Sequence, residues 1–327
     1  MRGFGFLAFV MLTIVFWGIY GPTLHHGQEA MAGVEGQSSR MRPLVCVGIA
    51  YFLIAVLVPL IVLWRRGESG NWSLSGFVWS FAAGGIGAVG AIGIILAFEN
   101  KGSPIYVMPL VFGCAPVVNT IVTMAMNRTV KEASLPFYFG VIVVAIGAAG
   151  VMYFKPTPAK ITSISGSQLM TVIICIAVTA LCWGSYGPVL HRGQTKMNGS
   201  RMRPFLCVGL AYFVLAVIMP YALQSVFPFG EGGWTFAGTF WSLVAGAAGA
   251  IGALGIIYAF NFGGKPIFVM PLVFGGAPVV NTFTSIIRSG VWGQVPTAFY
   301  ISLTLVIFGA VTVLICAPKA VPKKVTD

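Results

Sequence analysis

Residues 104–120 read PIYVMPLVFGCAPVVNT, and residues 266–282 read PIFVMPLVFGGAPVVNT. Fifteen of the 17 positions are identical, at a constant offset of 162. Both copies are apolar, yet each carries two internal prolines, Pro109 and Pro116 or Pro271 and Pro278, and one amide near its end, Asn119 or Asn281. A proline frees a carbonyl of the preceding turn. An amide left unpaired in an apolar medium costs about 2–7 kcal/mol. At membrane depth such a segment is tolerated only where protein or a water-lined cavity satisfies the freed groups. What surrounds the two copies therefore decides what the chain is.

The 327-residue chain is 57% hydrophobic and 8% charged, with mean hydropathy +0.92. A soluble domain carries about 25% charge, so this composition is that of a polytopic membrane protein with no room for a soluble domain. The net charge of +12 reads as loop topology, because no basic tract with interleaved aromatics lies outside the apolar runs, and no nucleic-acid partner is expected. The six cysteines form no CxxC and no metal-ligand spacing, so they read as structural thiols, and neither a metal nor a cofactor is expected. The N-terminal MRGFGFLAFVMLTIVFWGIYG has a signal-like basic residue and apolar core but no small-x-small cleavage site. Its WGxYGP (17–22) recurs at 183–188, which makes it a mature first span.

Apolar runs near the ~20 residues that cross a bilayer fall at about 4–24, 43–64, 74–99, 104–126 and 136–154, then at about 169–190, 204–226, 235–260, 266–288 and 296–317. The two groups of five match along much of their length. FWGIYGPTLHHGQ (16–28) answers CWGSYGPVLHRGQ (182–194), and SRMRPLVCVGIAYF (39–52) answers SRMRPFLCVGLAYF (200–213). The expected fold is all-α and integral to the membrane: ten transmembrane helices as two five-helix repeats, 1–160 and 161–327. Five crossings leave the chain on the opposite face, so the second repeat enters inverted. Inverted repeats related by an axis in the membrane plane are an architecture of secondary transporters. Placing the N-terminus inside puts 13 of the 19 Lys and Arg on that side, which predicts a plasma (inner) membrane protein with both termini cytoplasmic.

Four features carry candidate chemistry. In WGxYGPxLHxGQ, Trp17 and Tyr20, and Trp183 and Tyr186, stand three apart and share a helix face, while His25 and His191 follow. Gly18, Gly21 and Pro22 are expected to bend or end the helix. The aromatics serve either as an interfacial belt or as stacking faces for a substrate ring, with His and Gln bonding its hydroxyls. SRMRP places Arg40 and Arg42, and Arg201 and Arg203, at helix N-termini, where the dipole disfavours cations. They need a lipid phosphate, a carboxylate or an anionic substrate, or they form a gate at each face. Glu29 and Glu35 are the nearest acids in sequence to Arg40 and Arg42. The third feature is a glycine row, Gly84, Gly87, Gly90 and Gly93, answered by Gly246, Gly249, Gly252 and Gly255, which reads as close helix packing. The fourth is the opening stretch, whose Asn119 and Asn281 form either inter-helix hydrogen bonds or solute contacts, with the four prolines as hinges. No mid-span acid is present, Glu99 reads as an interface charge, and no catalytic motif or paired carboxylate appears, so no enzyme is expected.

These features resemble the drug/metabolite transporter superfamily, in particular EamA-type transporters with ten spans in two inverted halves, and the glucose/ribose porter branch. The tryptophan–glycine near the start of each half, Trp17-Gly18 and Trp183-Gly184, carries the likeness. The chain departs from it after the fourth span, where a leucine-glycine-glutamate turn is replaced by NRTVKE (127–132). The resemblance implies a central cavity lined mainly by the third, fourth, eighth and ninth spans, those that hold Trp79, Asn119, Trp241, Tyr258 and Asn281. The function expected is secondary transport of a small organic solute, a sugar or other polar metabolite, by alternating access. A non-transporting scaffold or sensor and a channel are the rivals, membrane lipid is a partner, and a homodimer is left open.

Overall fold

The computed structural model describes residues 5–33, 39–65, 67–156, 164–226, 229 and 232–318. Glu35, the 160/161 boundary between repeats, and Arg2, Arg66, Lys160, Lys319, Lys323 and Lys324 lie outside them. Among the described residues there is no strand, and ten helices are long and apolar enough to cross a membrane. They are α1 (Gly5–Ala30), α2 (Met41–Arg65), α3 (Leu74–Glu99), α4 (Pro104–Asn127), α5 (Leu135–Tyr153), α6 (Gly166–Lys196), α7 (Met202–Ala222), α8 (Phe236–Asn261), α9 (Pro266–Ser289) and α10 (Thr297–Ile315).

α1 and α6 run longer than the apolar runs alone suggest. The Gly21-Pro22 and Gly187-Pro188 pairs do not end these helices, which continue to Ala30 and Lys196. Likewise α4 and α9 pass through both of their internal prolines. A membrane helix tolerates proline where neighbouring helices re-satisfy the freed backbone, and around the helix turns that hold these prolines the packing is tight. A Cβ on Gly18 would sit 3.1 Å from Ala277 O and one on Gly184 2.7 Å from Ala115 O. Residues 214–218 of α7 wind as a π-helix just before Pro220, whereas the matching stretch of α2 before Pro59 is regular α-helix.

The glycine rows pack as their spacing predicts. On α3, a Cβ at Gly84 would meet Val208 Cα at 2.7 Å, and on α8 one at Gly246 would meet Val47 Cα at 2.6 Å. Helices from the two halves interleave. α1 packs on α8 and α9, α6 packs on α3 and α4, α2 meets α7, and α5 meets α10. The polar ties are reciprocal as well. Thr13 Oγ1 donates to Gly252 O at 3.0 Å and Thr179 Oγ1 donates to Gly90 O at 3.1 Å. Ser73 caps α3 and donates to Lys196 O at 2.7 Å, and Thr235 caps α8 and donates to Ala30 O at 2.8 Å. All six cysteines are free thiols.

Candidate binding cavity

The two aromatic motifs meet at the centre. α1 brings Trp17 and Tyr20, and α6 brings Trp183 and Tyr186, to the walls of a cavity of about 90 Å³. Tyr51, Tyr212, Phe112, Phe274, Gly87 and Gly249 complete five repeat-related pairs, with Ala115 and Ala253 beside them. The indoles are fixed by hydrogen bonds into the glycine rows: Trp17 Nε1 donates to Gly249 O and Trp183 Nε1 to Gly87 O, both at 3.2 Å. Only glycine leaves room for this. A Cβ at Gly252 would lie 2.2 Å from Trp17 Cδ1, and one at Gly90 would lie 2.3 Å from Trp183 Nε1.

Phe112 and Phe274 stand on the proline-interrupted turns of α4 and α9. Their rings pack at 6.4 Å between centroids, and Phe112 lies 6.5 Å from Trp17 and 6.4 Å from Trp183. Tyr51 and Tyr212 stack across the two halves, 3.9 Å between centroids and 4° between planes. The walls are thus mainly aromatic, and four of the lining residues are tyrosines, of which Tyr51 donates from its hydroxyl to Gly249 O at 3.5 Å. Among the described residues, no ionisable acid or base besides those phenols lines the cavity. Apolar walls with a few polar groups are the usual lining of a small-molecule site, but such sites hold about 300–1,000 Å³, so at about 90 Å³ this cavity takes a sugar-sized ring only if its walls part.

The other candidate residues stand elsewhere. Asn281 is buried and donates from Nδ2 to Pro104 O at 2.8 Å, and its Oδ1 has no hydrogen-bond partner among the described residues. Asn119 lines a second cavity, of about 370 Å³, with Thr123, Lys265, Pro266 and Met270. His25 Nδ1 lies 3.4 Å from Glu29 Oε1, and His191 is exposed. Trp79 lies beneath the Arg192 guanidinium at 5.1 Å, Trp241 beside His26 at 5.5 Å, and Tyr258 against Phe9 at 5.5 Å. The arginines find partners that sequence proximity does not indicate. Arg40 pairs with Glu99 at the end of α3, while Glu29 serves His25. Arg42 lies 3.4 Å from Ser39 Oγ and 5.9 Å from the Phe229 ring. Glu68 accepts from the backbone N–H of Arg201 and Met202, capping α7, and lies 3.8 Å from Arg203 Nη1. Arg201 Nη1 donates to Ile257 O at 3.3 Å and to Asn261 Oδ1.

Tyr51, Tyr212, Phe112 and Phe274 were not singled out by sequence reasoning. The signal was there: both pairs are retained aromatic positions inside the matched stretches, at 51 and 212 and at 112 and 274.

No family model and no curated protein matches the chain. A solved structure described as "Crystal structure of protein" is 16% identical over 95% of this chain and 96% of its own, with a TM-score of 0.56. That likeness extends to the fold alone.

Proposed function

We propose that the chain is a secondary transporter that moves a small organic solute, a sugar or another polar metabolite with a ring, by alternating access. The observation that carries this reading is the central cavity, whose walls are five residue pairs drawn equally from both halves. The two halves are read as inverted repeats. With ten alternating crossings, the α2–α3 loop and the α6–α7 loop come to the same end of the molecule only if the halves are inverted. The bond from Asn71 N–H to Met197 O, 3.3 Å, ties those loops together, and Gly233 N–H to Met31 O, 3.1 Å, ties their counterparts at the other end. An axis in the membrane plane then passes by the Tyr51–Tyr212 stack, and a site on such an axis is equally available from either face.

The chemistry selects the solute class. Ring faces of Trp and Tyr stack on the apolar face of a sugar or heterocycle, and the tyrosine hydroxyls bond its edge. A carboxylate or phosphate would enter without a counter-charge, which disfavours anionic solutes. The test is a thermal-shift screen of neutral sugars, nucleosides and heterocycles on purified protein, followed by counterflow of any hit in liposomes. Saturable counterflow that is lost in both Trp17→Ala and Trp183→Ala supports the reading. A ligand that binds without flux identifies a sensor instead, and flux that does not saturate identifies a channel.

A further inference from the structure

The repeat is near-identical in sequence around α4 and α9, yet the two copies stand in different surroundings. At the start of α4, Pro104 and Met108 are buried, and Tyr106 is 4% exposed. At the start of α9, Pro266 is exposed, Met270 is half-buried, and Phe268 is 57% exposed. The partner ends differ in the same sense. On α9, Asn281 and Ser285 are buried, at 0% and 2%. On α4, their counterparts Asn119 and Thr123 are half-buried and face the 370 Å³ cavity that runs along Pro266. One end of the helix pair is sealed and the other gapes.

The glycines of the WGxYGP motifs report the same difference independently. A Cβ at Gly21 would meet Met108 Cγ at 2.4 Å and Asn281 Oδ1 at 2.9 Å. At the equivalent Gly187 it would meet Asn119 Nδ2 at 2.9 Å and no atom of Met270. The sealed end also strands polar atoms. Asn281 Oδ1, Thr282 Oγ1 and Ser285 Oγ are buried without a hydrogen-bond partner among the described residues. Buried unsatisfied groups of this kind are costly and call for an explanation. An end that opens to water in another state supplies one.

Building on the transporter reading, we infer that Asn281 is a latch that holds the Pro104 end shut through the Pro104 carbonyl, and that Asn119 is its counterpart for the Pro266 carbonyl. The structure is the state with the first latch closed and the second released. On the charge-based orientation Pro266 faces the cytoplasm, so the state is inward-facing. In the exchanged state Asn119 bonds Pro266 O, Met270 packs on Gly187, and the vestibule forms around Asn281, Thr282 and Ser285. The pair Asn119 and Thr123, half-buried at the open end, corresponds to the buried pair Asn281 and Ser285 at the sealed end, which lets one near-duplicate sequence serve both faces.

The test uses labelling rates of single cysteines in liposomes, with the native cysteines replaced and a soluble methanethiosulfonate as probe. T123C is expected to react at least roughly tenfold faster than S285C, since a factor of ten corresponds to a modest population difference. Gly21→Ala collides with the closed latch, so it should speed S285C and protect T123C. Gly187→Ala meets only the end of the Asn119 side chain, at 2.9 Å, and no methionine in this state, so it should disturb the pattern far less than Gly21→Ala does. Asn281→Leu, which removes the amide, should act as Gly21→Ala does, and the glycine variants carry the test if that variant fails to fold. Equal reactivity of T123C and S285C, or the same response to both alanines, would overturn the latch assignment whether or not a solute is found. The expected shift without solute flux would instead leave the latch standing and remove the transporter reading.

Discussion

Gly252→Ala isolates the contact that shapes the central cavity. The added methyl would lie 2.2 Å from Trp17 Cδ1 and 2.3 Å from Nε1, far inside the ~3.5–4.0 Å of carbon contact. The indole cannot simply move aside. Its Nε1 is bonded to Gly249 O at 3.2 Å, and its neighbours are Phe112 and Phe274 at centroid distances of 6.5 and 6.4 Å. Overpacking a site of this kind costs about 1–3 kcal/mol. The lost indole hydrogen bond adds about 0.5–1.5 kcal/mol. Replacing a helical glycine by alanine returns about 0.5–1 kcal/mol, leaving a net loss of about 0.5–4 kcal/mol, centred near ~2. Gly275→Ala is the internal control. Its methyl would meet Ile307 and Val311 at 3.6 Å, an ordinary contact, so it should be neutral or stabilising by up to ~1 kcal/mol. Thermal unfolding of the purified protein, followed by tryptophan emission, should place Gly252→Ala well below wild type and Gly275→Ala at or above it. If the two variants melt together, the indole is not held where the hydrogen bond puts it, and the cavity walls described above are wrong.

Three further outcomes follow from the geometry. Gly113→Ala, at the position related to Gly275, should lower the melting temperature, because its methyl would lie 2.1 Å from Val306 Cγ1 and overpacking costs about 1–3 kcal/mol. Tyr51→Leu or Tyr212→Leu should weaken binding of any ligand found by the screen by on the order of tenfold, as loss of an aromatic pair and its hydroxyl together removes about 1–2 kcal/mol; isothermal titration of the purified variants checks it. Glu99→Gln should change stability by less than ~1 kcal/mol, since its ion pair with the half-exposed Arg40 is screened by solvent, whereas Glu68→Ala should cost about 1–2 kcal/mol through the lost cap of α7; chemical or thermal melts separate the two.

Much of this was legible in the chain. Span number and placement follow from hydropathy and length, and the glycine rows declare their packing because three-residue spacing puts them on one face of a helix. What could not be read locally were contacts made across the sequence. Arg40 meets Glu99 and not the nearer Glu29, because the end of α3 returns beside the start of α2. The Tyr51–Tyr212 stack joins positions 161 apart that face each other only once the halves have docked. The Gly21-Pro22 and Gly187-Pro188 pairs left open whether the helix bends or ends there, and both helices continue past them against tightly packed neighbours. The asparagines looked equivalent and are not, since sequence identity of two repeats says nothing about which state the molecule occupies.

Two halves with near-identical α4 and α9 starts need some difference nearby to favour one resting state, and the chain supplies one beside the latches. Lys155 sits just beyond α5, with its ammonium 4.6 Å from the centre of the Tyr106 ring at the sealed end. At the open end the related positions hold Ala317 and Phe268, which cannot make that contact. Burial lowers the Lys155 pKa, so part of the cation–π attraction is spent on desolvation. Such contacts contribute about 0.5–2 kcal/mol. Lys155→Ala should therefore release the Pro104 end and move the balance between the two states by roughly 2- to 30-fold, read as faster labelling of S285C and slower labelling of T123C. Adding Ala317→Lys to that variant offers the cation to Phe268 at the opposite end, and the labelling pattern should shift further in the same direction. If Lys155→Ala leaves both rates unchanged, this pair does not set the resting state.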